Sequence, residues 1–324
     1  MIMNMRSGAA IVAALLLFAG AAFGQTSEQK ASAEKQQALW EKLGAQIAEV
    51  DKSLDGVMGV AIEDLTTGQK YFLHENAVFP QASSIKITVL AELYRENQLA
   101  AEGKPGKAKL SDLYTVDQKD LVQDSDIMNG LTPGVTRITN RDLATMMVAV
   151  SDNSAANVLI DHVGMENVNA LLDSLGLTHT RLQRKMMDVK AASEGRENVS
   201  TPREMMTLLE DIYRGKVLNK EMTDEFFRML STHKSSPISR GLPDGLQIAD
   251  KPGELEGVRT DSGVIFAQNR PYVISVMTTY LHNERDGVEA IAKISVEAYR
   301  MFDRLGRSSE YGRIVSTYNS SSVH

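Results

Sequence analysis

Hydrophobic and polar positions repeat along the chain with two different periods, and each period predicts one type of element. From Glu28 to Leu54, apolar residues recur mostly every three or four positions among charged ones, as in an amphipathic helix. The next segment, GVMGVAIEDLTTGQKYFL, holds two β-branched and aromatic runs joined by Thr66-Thr67-Gly68, which predicts a β-hairpin. Strand-like runs return late in the chain, in GLQIADKPG, RTDSGVIFAQ and RPYVISVMTTYL. Strands are therefore predicted near both ends of the chain.

Helical patterns dominate between these two groups of strands. They run from Ile87 to Asn97, Asn140 to Val150, Ala155 to Val163 and Thr201 to Tyr213, and a last one runs from Gly287 to Leu305. We expect Asn140 to cap the second helix, and Thr201 with Glu204 to form a capping box at the fourth. The polar stretch from Gly176 to Ser200 has little periodicity and is long enough to predict a functional loop.

This order of elements predicts an α/β fold of the α+β type. An antiparallel sheet of about five strands, flanked by helices, would be completed by the two ends of the chain. An all-helical lobe, about residues 81–213, would be inserted between an α/β lobe made of about residues 31–80 and 214–305. The cleft between two such lobes is where ligands usually bind.

The first 24 residues differ in character from the rest. MIMNMRSG contains one arginine, the apolar AAIVAALLLFAGAAFG follows, and the polar QTSEQK comes next. This is typical of a secretory signal peptide cut near Gly24, so we expect a periplasmic or secreted protein. A retained membrane anchor is the alternative, but the stretch is short for a span and no basic flank follows it. At the other end, the Ser-rich residues 306–324 are predicted to form a flexible tail.

Composition excludes several classes of protein. The 324 residues are 43% hydrophobic and 24% charged, which is ordinary for a folded chain. A net charge of −7 without a run of Lys and Arg argues against a nucleic-acid partner. The chain has no cysteine, and its six histidines show no metal-binding spacing. We therefore expect no disulfide, metal or other cofactor, and a monomer that does not bind a membrane once the signal is removed.

Three short elements that could carry chemistry occur in order: Ser83-Ser84-Ile85-Lys86, Ser151-Asp152-Asn153 and Lys251-Pro252-Gly253. Residues three apart share a helix face, so a neutral Lys86 amine could accept the proton of Ser83 during nucleophilic attack. We accordingly expect Lys86 Nζ within hydrogen-bond reach of Ser83 Oγ. Taken singly, each element has an ordinary alternative, such as a helix cap or a strand that ends in a turn.

Together the motifs resemble those of the class A β-lactamases and their penicillin-binding relatives, which share S-x-x-K, S-D-N and K-T-G. The resemblance runs from about residue 31 to residue 305 and includes FPQASSIK, MMVAVSDNSAANVLI, LGLTHTRLQRK and STPREM. It implies a catalytic domain of residues 25–305 with the β-lactamase/transpeptidase-like fold. It also implies a secreted serine hydrolase that acts in β-lactam catabolism and antibiotic resistance, with a β-lactam or a D-Ala-D-Ala-like peptide as ligand.

The resemblance implies covalent chemistry for three residues. Ser83 would attack the lactam carbonyl and become acylated, while Lys86 moves its proton. Ser151 would pass that proton to the leaving nitrogen. Such a site combines nucleophilic catalysis with electrostatic stabilisation.

Other matching residues would bind the substrate. Asn153 would hold its amide side chain, and Lys251, in the motif that Gly253 completes, would attract its carboxylate. The backbone N–H groups of Ser83 and Glu254 would form the oxyanion hole.

Two departures from the family pattern concern turnover and binding. Met186 stands where the family has the glutamate that activates the deacylating water, and methionine cannot act as a base. Asp188, two residues on, is a possible deacylation base if the loop folds differently, and otherwise a solvated loop charge. Pro252 removes a hydroxyl that would bind the substrate carboxylate, for which Arg259 or Thr260 could compensate.

Two further departures concern the surroundings of the site. Asn198 replaces an aspartate opposite Arg184 at the neck of the loop, where a hydrogen bond could replace the ion pair. Asp124 replaces an aromatic residue at the rim of the cleft.

Three hypotheses remain open from the sequence. The first is a β-lactamase-type hydrolase with weak or narrow turnover. The second is a D,D-peptidase or esterase that forms an acyl-enzyme with another substrate, and the third is a non-catalytic penicillin-binding-type module. The missing glutamate favours the second hypothesis, and Pro252 with Asp124 favours the third.

Overall fold

A five-stranded antiparallel sheet forms the centre of the protein. The computed structural model describes residues 27–314, with side chains from residue 33 onward. The strands are β1 (Val57–Asp64), β2 (Lys70–Leu73), β3 (Phe79–Pro80), β4 (Leu113–Thr115), β5 (Arg137–Thr139), β6 (Val199–Ser200), β7 (Ile248–Leu255), β8 (Val258–Ile265) and β9 (Tyr272–Thr279). The main sheet has the order β2-β1-β9-β8-β7, and two short pairs, β3 with β6 and β4 with β5, lie outside it. The predicted fold class and the predicted hairpin of β1 with β2 are confirmed.

Helices surround this sheet. They are α1 (Ser27–Ser53), α2 (Lys86–Ala101), α3 (Asn140–Ala149), α4 (Asn153–Val163), α5 (Met165–Ser174), α6 (Val189–Ser193), α7 (Pro202–Tyr213), α8 (Lys220–Leu230) and α9 (Glu284–Arg307). The structure also contains 3₁₀ turns at Ala82–Ile85, Gln118–Asp120 and Met128–Gly130. All six predicted helices are present, whereas α5, α6 and α8 were not predicted.

Two predicted helix caps need correction. Thr139, and not Asn140, caps α3, because Thr139 Oγ1 accepts from the N–H of Asp142 at 3.1 Å. The carboxylate of Asp142 accepts in turn from the N–H of Thr139 at 2.8 Å and completes the capping box. At α7, Thr201 caps as predicted, but the Glu204 carboxylate accepts from Thr180 Oγ1 at 2.7 Å, so the reciprocal half of that box is not formed.

Two hydrophobic layers cover the faces of the sheet. On one face, α1 and α9 pack through residues such as Trp40 and Phe302. The rings of these two residues lie edge to face, with their centroids 5.6 Å apart. On the other face, α7 packs across β1 and β9, and α3, α4, α5 and α8 surround the buried α2. The central strands are therefore buried on both sides, which explains their continuous apolar runs.

The ends of the chain are only partly described. The predicted signal peptide, residues 1–24, and the part of the predicted tail beyond residue 314 lie outside the described residues. Within residues 27–314, no helix combines the length and the hydropathy that a bilayer span requires. The division of the chain into lobes stays a prediction.

Candidate active site

The chain presents Ser83 at a strained turn between a short strand and a buried helix. Strand β3 pairs with β6, and the 3₁₀ turn Ala82–Ile85 then leads into α2. Ala82 has a φ of 48°, an unusual value for a residue with a side chain. Ser84 is fully buried and donates through Oγ to Lys251 O at 2.8 Å, which ties the turn to β7. Ser83 is left partly exposed.

Ser83 opens onto a cavity of about 580 Å³ between this turn, the loop that precedes α4, and β7. The sequence-predicted residues Ser83, Ser151, Asn153, Lys251 and Glu254 all line this cavity, and Pro252 lies on the same wall. Ser151 has a φ of 58°, so a second left-handed residue lies next to the candidate chemistry. Such backbone strain often collects at functional sites. The three motifs are therefore brought together.

Lys86 lies behind the cavity, and all three N–H donors of its ammonium group form hydrogen bonds. Its Nζ donates to Ser151 O at 2.6 Å, to Asn153 Oδ1 at 2.8 Å and to Ser151 Oγ at 3.0 Å. An ammonium group has three N–H donors, and these contacts use all of them. Among the described residues, Lys86 Nζ makes no hydrogen bond to Ser83 Oγ, so the predicted direct pair is not formed. Ser151 is instead the immediate partner of the lysine.

The surroundings of Lys86 favour its neutral form. Burial drives the pKa of Lys86 well below its usual value, the positive charge of Lys251 lowers this pKa further, and Asp152 opposes the shift. Asp152 is itself occupied, because its carboxylate caps α4 at Ala155 N (2.9 Å) and accepts from Met128 N (2.9 Å). A neutral Lys86 has a free lone pair and can accept a proton from the hydroxyl of Ser151.

Lys251 approaches the same hydroxyl from the strand side. Its Nζ donates to Ser151 Oγ and to Pro252 O, both at 3.0 Å. Burial and the neighbouring charge of Lys234 lower the pKa of Lys251 to about 8, while Asp261 opposes this shift. Ser151 Oγ therefore lies between a lysine that favours the neutral form and one that is still charged at neutral pH.

The register of β7 explains two features of the third motif. A two-residue turn joins Leu255 to Val258, which makes these two residues a hydrogen-bonded pair. Every second residue of β7 then hydrogen-bonds to β8 through its backbone. The backbone groups of the residues between them point to the open edge of the sheet, because β7 is an edge strand. Pro252 and Glu254 occupy these edge positions. Proline thus breaks no ladder bond, and the N–H of Glu254 is free of β8.

The loop that carries Met186 is held in the expected register. Met186 N donates to Asn157 Oδ1 at 2.7 Å, and Asn157 Nδ2 donates back to Met186 O at 3.1 Å. The Met186 side chain is buried in the core. Asp188 is exposed and caps α6, with its carboxylate accepting from Ala191 N at 2.9 Å. The structure therefore gives Asp188 a structural role and does not place it on the cavity as a deacylation base.

The neck of this loop is closed without the aspartate that the resemblance implies. Asn198 Oδ1 accepts from the N–H groups of Gln183 (2.7 Å) and Arg184 (3.1 Å), and its Nδ2 donates to Arg184 O (3.1 Å). The Arg184 guanidinium instead pairs with Glu197 at 2.8 Å. Hydrogen bonds and a relocated ion pair thus hold the neck.

Arg259, Thr260 and Gly253 do not line the cavity. The Arg259 guanidinium donates to the carbonyls of Leu255 and Val258, and Thr260 Oγ1 is buried and donates to Gln81 O at 3.0 Å. Neither side chain compensates for Pro252 in this structure. Gly253 lies where β7 meets the 3₁₀ turn of Ser83, and a Cβ there would meet Gln81 O.

Sequence reasoning missed three polar residues of the cavity wall. Lys234 and Ser235 follow α8, and Asp126 lies beside the predicted rim residue Asp124. No motif marks Lys234 or Ser235, because they reach the site through the packing of a loop against β7. The only available signal was that they lie 16 or 17 residues before Lys251, in a polar segment between a helix and a strand.

Comparisons with known proteins agree with this arrangement. A family model described as the beta-lactamase enzyme family matches residues 18–302. Beta-lactamase L2 of Stenotrophomonas maltophilia is 28% identical over 92% of this chain and 96% of its own length. Beta-lactamase 3 of Bacillus cereus is 26% identical over 74% of each chain.

Solved structures show the same fold. A beta-lactamase structure from Sphaerobacter thermophilus has a TM-score of 0.72 at 27% identity and covers 81% of this chain and 97% of that one. An ancestral class A beta-lactamase of Gram-negative bacteria has a TM-score of 0.70 at 29% identity, covering 79% and 99%. PBP-A has a TM-score of 0.72 at 24% identity, covering 81% and 96%, and shares the fold.

Proposed function

Because this chain belongs to the beta-lactamase enzyme family, we propose that it is a serine hydrolase in which Ser83 is acylated by β-lactam amides and released slowly. The observation that carries this proposal is the Ser151 hydroxyl, which lies 3.0 Å from both Lys86 Nζ and Lys251 Nζ on the cavity of Ser83. This arrangement supplies a base, a proton carrier and a positive charge around one nucleophile.

Acylation follows from these contacts. Ser83 Oγ bonds to the lactam carbonyl carbon, and its proton passes to the neutral Lys86 amine, directly after a small side-chain rotation or through Ser151 Oγ. The N–H groups of Ser83 and Glu254 stabilise the oxyanion. As the C–N bond breaks, Ser151 gives its proton to the nitrogen and is reprotonated by Lys86. Positive charge at Lys251 binds the substrate carboxylate, and Asn153 binds the amide side chain.

Deacylation lacks a carboxylate base on the loop that carries Met186. Met186 cannot activate a water molecule, and the carboxylate of Asp188 is used as a helix cap. We assign the proton of the attacking water to Lys86, because its surroundings favour the neutral amine. General-base catalysis typically contributes a factor of about 10²–10⁴, so we expect the acyl-enzyme to persist.

A second candidate function is acyl transfer on a D-Ala-D-Ala-like peptide or an ester, and Met186 is the observation that favours it. A periplasmic or secreted location would suit either substrate and is supported by the signal-like N-terminal sequence. The monomeric state stays a prediction.

The test is the intact mass of the signal-cleaved protein after mixing with a penicillin and with a chromogenic cephalosporin, alongside the rate of colour formation. We expect one adduct per protein, slow further colour, and no adduct on Ser83→Ala. Rapid colour beyond one equivalent would contradict slow release. Absence of any adduct on the wild type would refute acylation and favour a non-catalytic module.

A further inference from the structure

The part of the cavity that we propose to bind the substrate carboxylate lacks one hydrogen-bond donor that the family pattern provides. Lys251 supplies positive charge there, but Pro252 has no hydroxyl, and Arg259 and Thr260 donate to backbone carbonyls elsewhere. A carboxylate has two oxygens and accepts several hydrogen bonds. A substrate carboxylate beside Lys251 would therefore need another donor from this wall.

Ser235 is a free hydroxyl on this wall. It lines the cavity together with Lys251 and Pro252, it is exposed, and its side chain has no hydrogen-bond partner among residues 33–314. Its neighbour Lys234 also lines the cavity, but the Lys234 side chain is only 5% exposed and its ammonium is held in place. Lys234 Nζ donates to Leu230 O and Thr232 O, both at 2.8 Å, and to Asp250 Oδ1 at 3.2 Å.

The loop is fixed on both sides of Ser235. Before it, Lys234 binds Asp250, the residue that directly precedes Lys251 on β7. After it, the N–H of Ile238 donates to Asp261 Oδ2 on β8 at 3.0 Å. Two buried carboxylates of the strand pair that carries Lys251 thus hold the loop, so the Ser235 hydroxyl is preorganised before a ligand enters.

We propose that Ser235 is a specificity-determining residue, whose hydroxyl donates to the substrate carboxylate in place of the hydroxyl that Pro252 lacks, and that Lys234 positions it. This inference rests on the proposed function, since it concerns the same cavity.

The charged side chains that line the cavity favour an anionic group beside Ser235. Lys234 and Lys251 line the part of the cavity beside Ser235, whereas the exposed carboxylates of Asp124 and Asp126 come from the loop between the 3₁₀ turns Gln118–Asp120 and Met128–Gly130 and make no ion pair or hydrogen bond among the described side chains. Glu254 also lines the cavity from β7, where its charge acts on Lys251. A substrate anion is attracted to the lysine side and repelled from the acidic rim. Its carboxylate therefore meets the Ser235 hydroxyl.

The experiment compares a penicillin with its methyl ester, using the second-order rate of adduct formation. A hydrogen bond to a charged group is typically worth a factor of roughly ten to a hundred. We expect Ser235→Ala to lose about that factor with the acid and almost nothing with the ester. Ser235→Thr keeps the hydroxyl and should retain the preference for the acid. His233→Ala, an exposed change in the same loop, should match the wild type.

A compensating change makes the test sharper. Adding Pro252→Thr to Ser235→Ala should restore the preference for the acid, because the hydroxyl returns to the same wall. Equal losses with acid and ester, or no loss, would overturn the role of Ser235 while leaving acylation by Ser83 intact. A wild type that forms no adduct with either compound would overturn the proposed function and this inference with it.

A separate variant tests the role of Lys234. Since its charge helps to lower the pKa of Lys251, Lys234→Met should move the high-pH decline of acylation upward as well as weaken the preference for the acid. An unchanged preference for the acid in Lys234→Met would overturn the positioning role of Lys234, which rests on its contacts with Leu230, Thr232 and Asp250.

Discussion

The charge on Lys251 should set the upper pH limit of acylation. Burial, followed by the charge of Lys234, lowers the pKa of this lysine from its ordinary 10.5 to about 8. Such a group is about 90% charged at pH 7, about 10% at pH 9 and about 1% at pH 10. Because we propose that the charged form binds the substrate carboxylate, the rate of adduct formation should fall about tenfold per pH unit above pH 8. A lysine of ordinary pKa would keep its charge to pH 10.

The low-pH side of the same profile reports on Lys86. Its pKa is driven well below the ordinary value by burial, so the neutral amine forms at a lower pH than for an exposed lysine. Acylation should therefore rise on the acid side as the Lys86 amine loses its proton, and fall on the alkaline side as Lys251 loses its charge. The falling limb belongs to Lys251 and the rising limb to Lys86.

The assay is the second-order rate of adduct formation with a penicillin between pH 5 and pH 10, read by intact mass. Circular dichroism at each pH confirms that the protein stays folded. Lys251→Arg is the matched variant, because a guanidinium keeps its charge throughout this range. We expect this variant to react more slowly overall and to lack the falling limb. A wild-type rate that is flat from pH 7 to pH 10, or an equal falling limb in Lys251→Arg, would refute the reasoning.

Three further predictions concern turnover, packing and stability. Met186→Glu should raise steady-state hydrolysis of a chromogenic cephalosporin by about 10²–10⁴, whereas the uncharged Met186→Gln should not, because only a carboxylate can act as the base. Gly253→Ala should abolish adduct formation in a chain that still folds by circular dichroism, since a Cβ there meets Gln81 O and pushes β7 away from the turn of Ser83. Burial, followed by the charge of Asp250, raises the pKa of Asp261 well above its ordinary value, so ionising this carboxyl costs stability as pH rises. Asp261→Asn should therefore be more stable than the wild type in urea at pH 8, by about 1–3 kcal/mol, with the gain shrinking toward pH 4.

Periodicity was sufficient to predict most of the fold. The apolar runs of β1 and β9 predicted strands, as did the shorter run GVIFA at the end of β8, and the three-to-four spacing predicted α1. The segment of α8 also has a helical pattern, with Phe226, Phe227 and Leu230 on one face and Asn219 as cap. The order of strands in the sheet could not be derived in this way, because alternation identifies a strand without identifying its neighbour.

The motifs predicted which segments meet, but not how their side chains are oriented. Ser83, Ser151 and Lys251 do share one cavity. The spacing of Ser83 and Lys86 could not show that three acceptors from the second motif would occupy the Lys86 amine. The role of Asp188 was likewise open until the loop placed a helix N-terminus beside it. Such outcomes depend on tertiary contacts that no local pattern contains.

The two main departures from the family pattern act on different steps, and the structure treats them differently. The hydroxyl lost at Pro252 concerns binding, and Ser235 offers another hydroxyl on the same wall. The carboxylate lost at Met186 concerns release, and none of the described residues of that loop brings another carboxylate to the cavity, because Asp188 caps a helix. The proposed capture of a substrate thus has a candidate replacement on the cavity wall, whereas the proposed hydrolysis of the ester has none on this loop. This asymmetry predicts a protein that forms its acyl-enzyme readily and holds it, and it explains why Met186→Glu should change turnover without changing acylation.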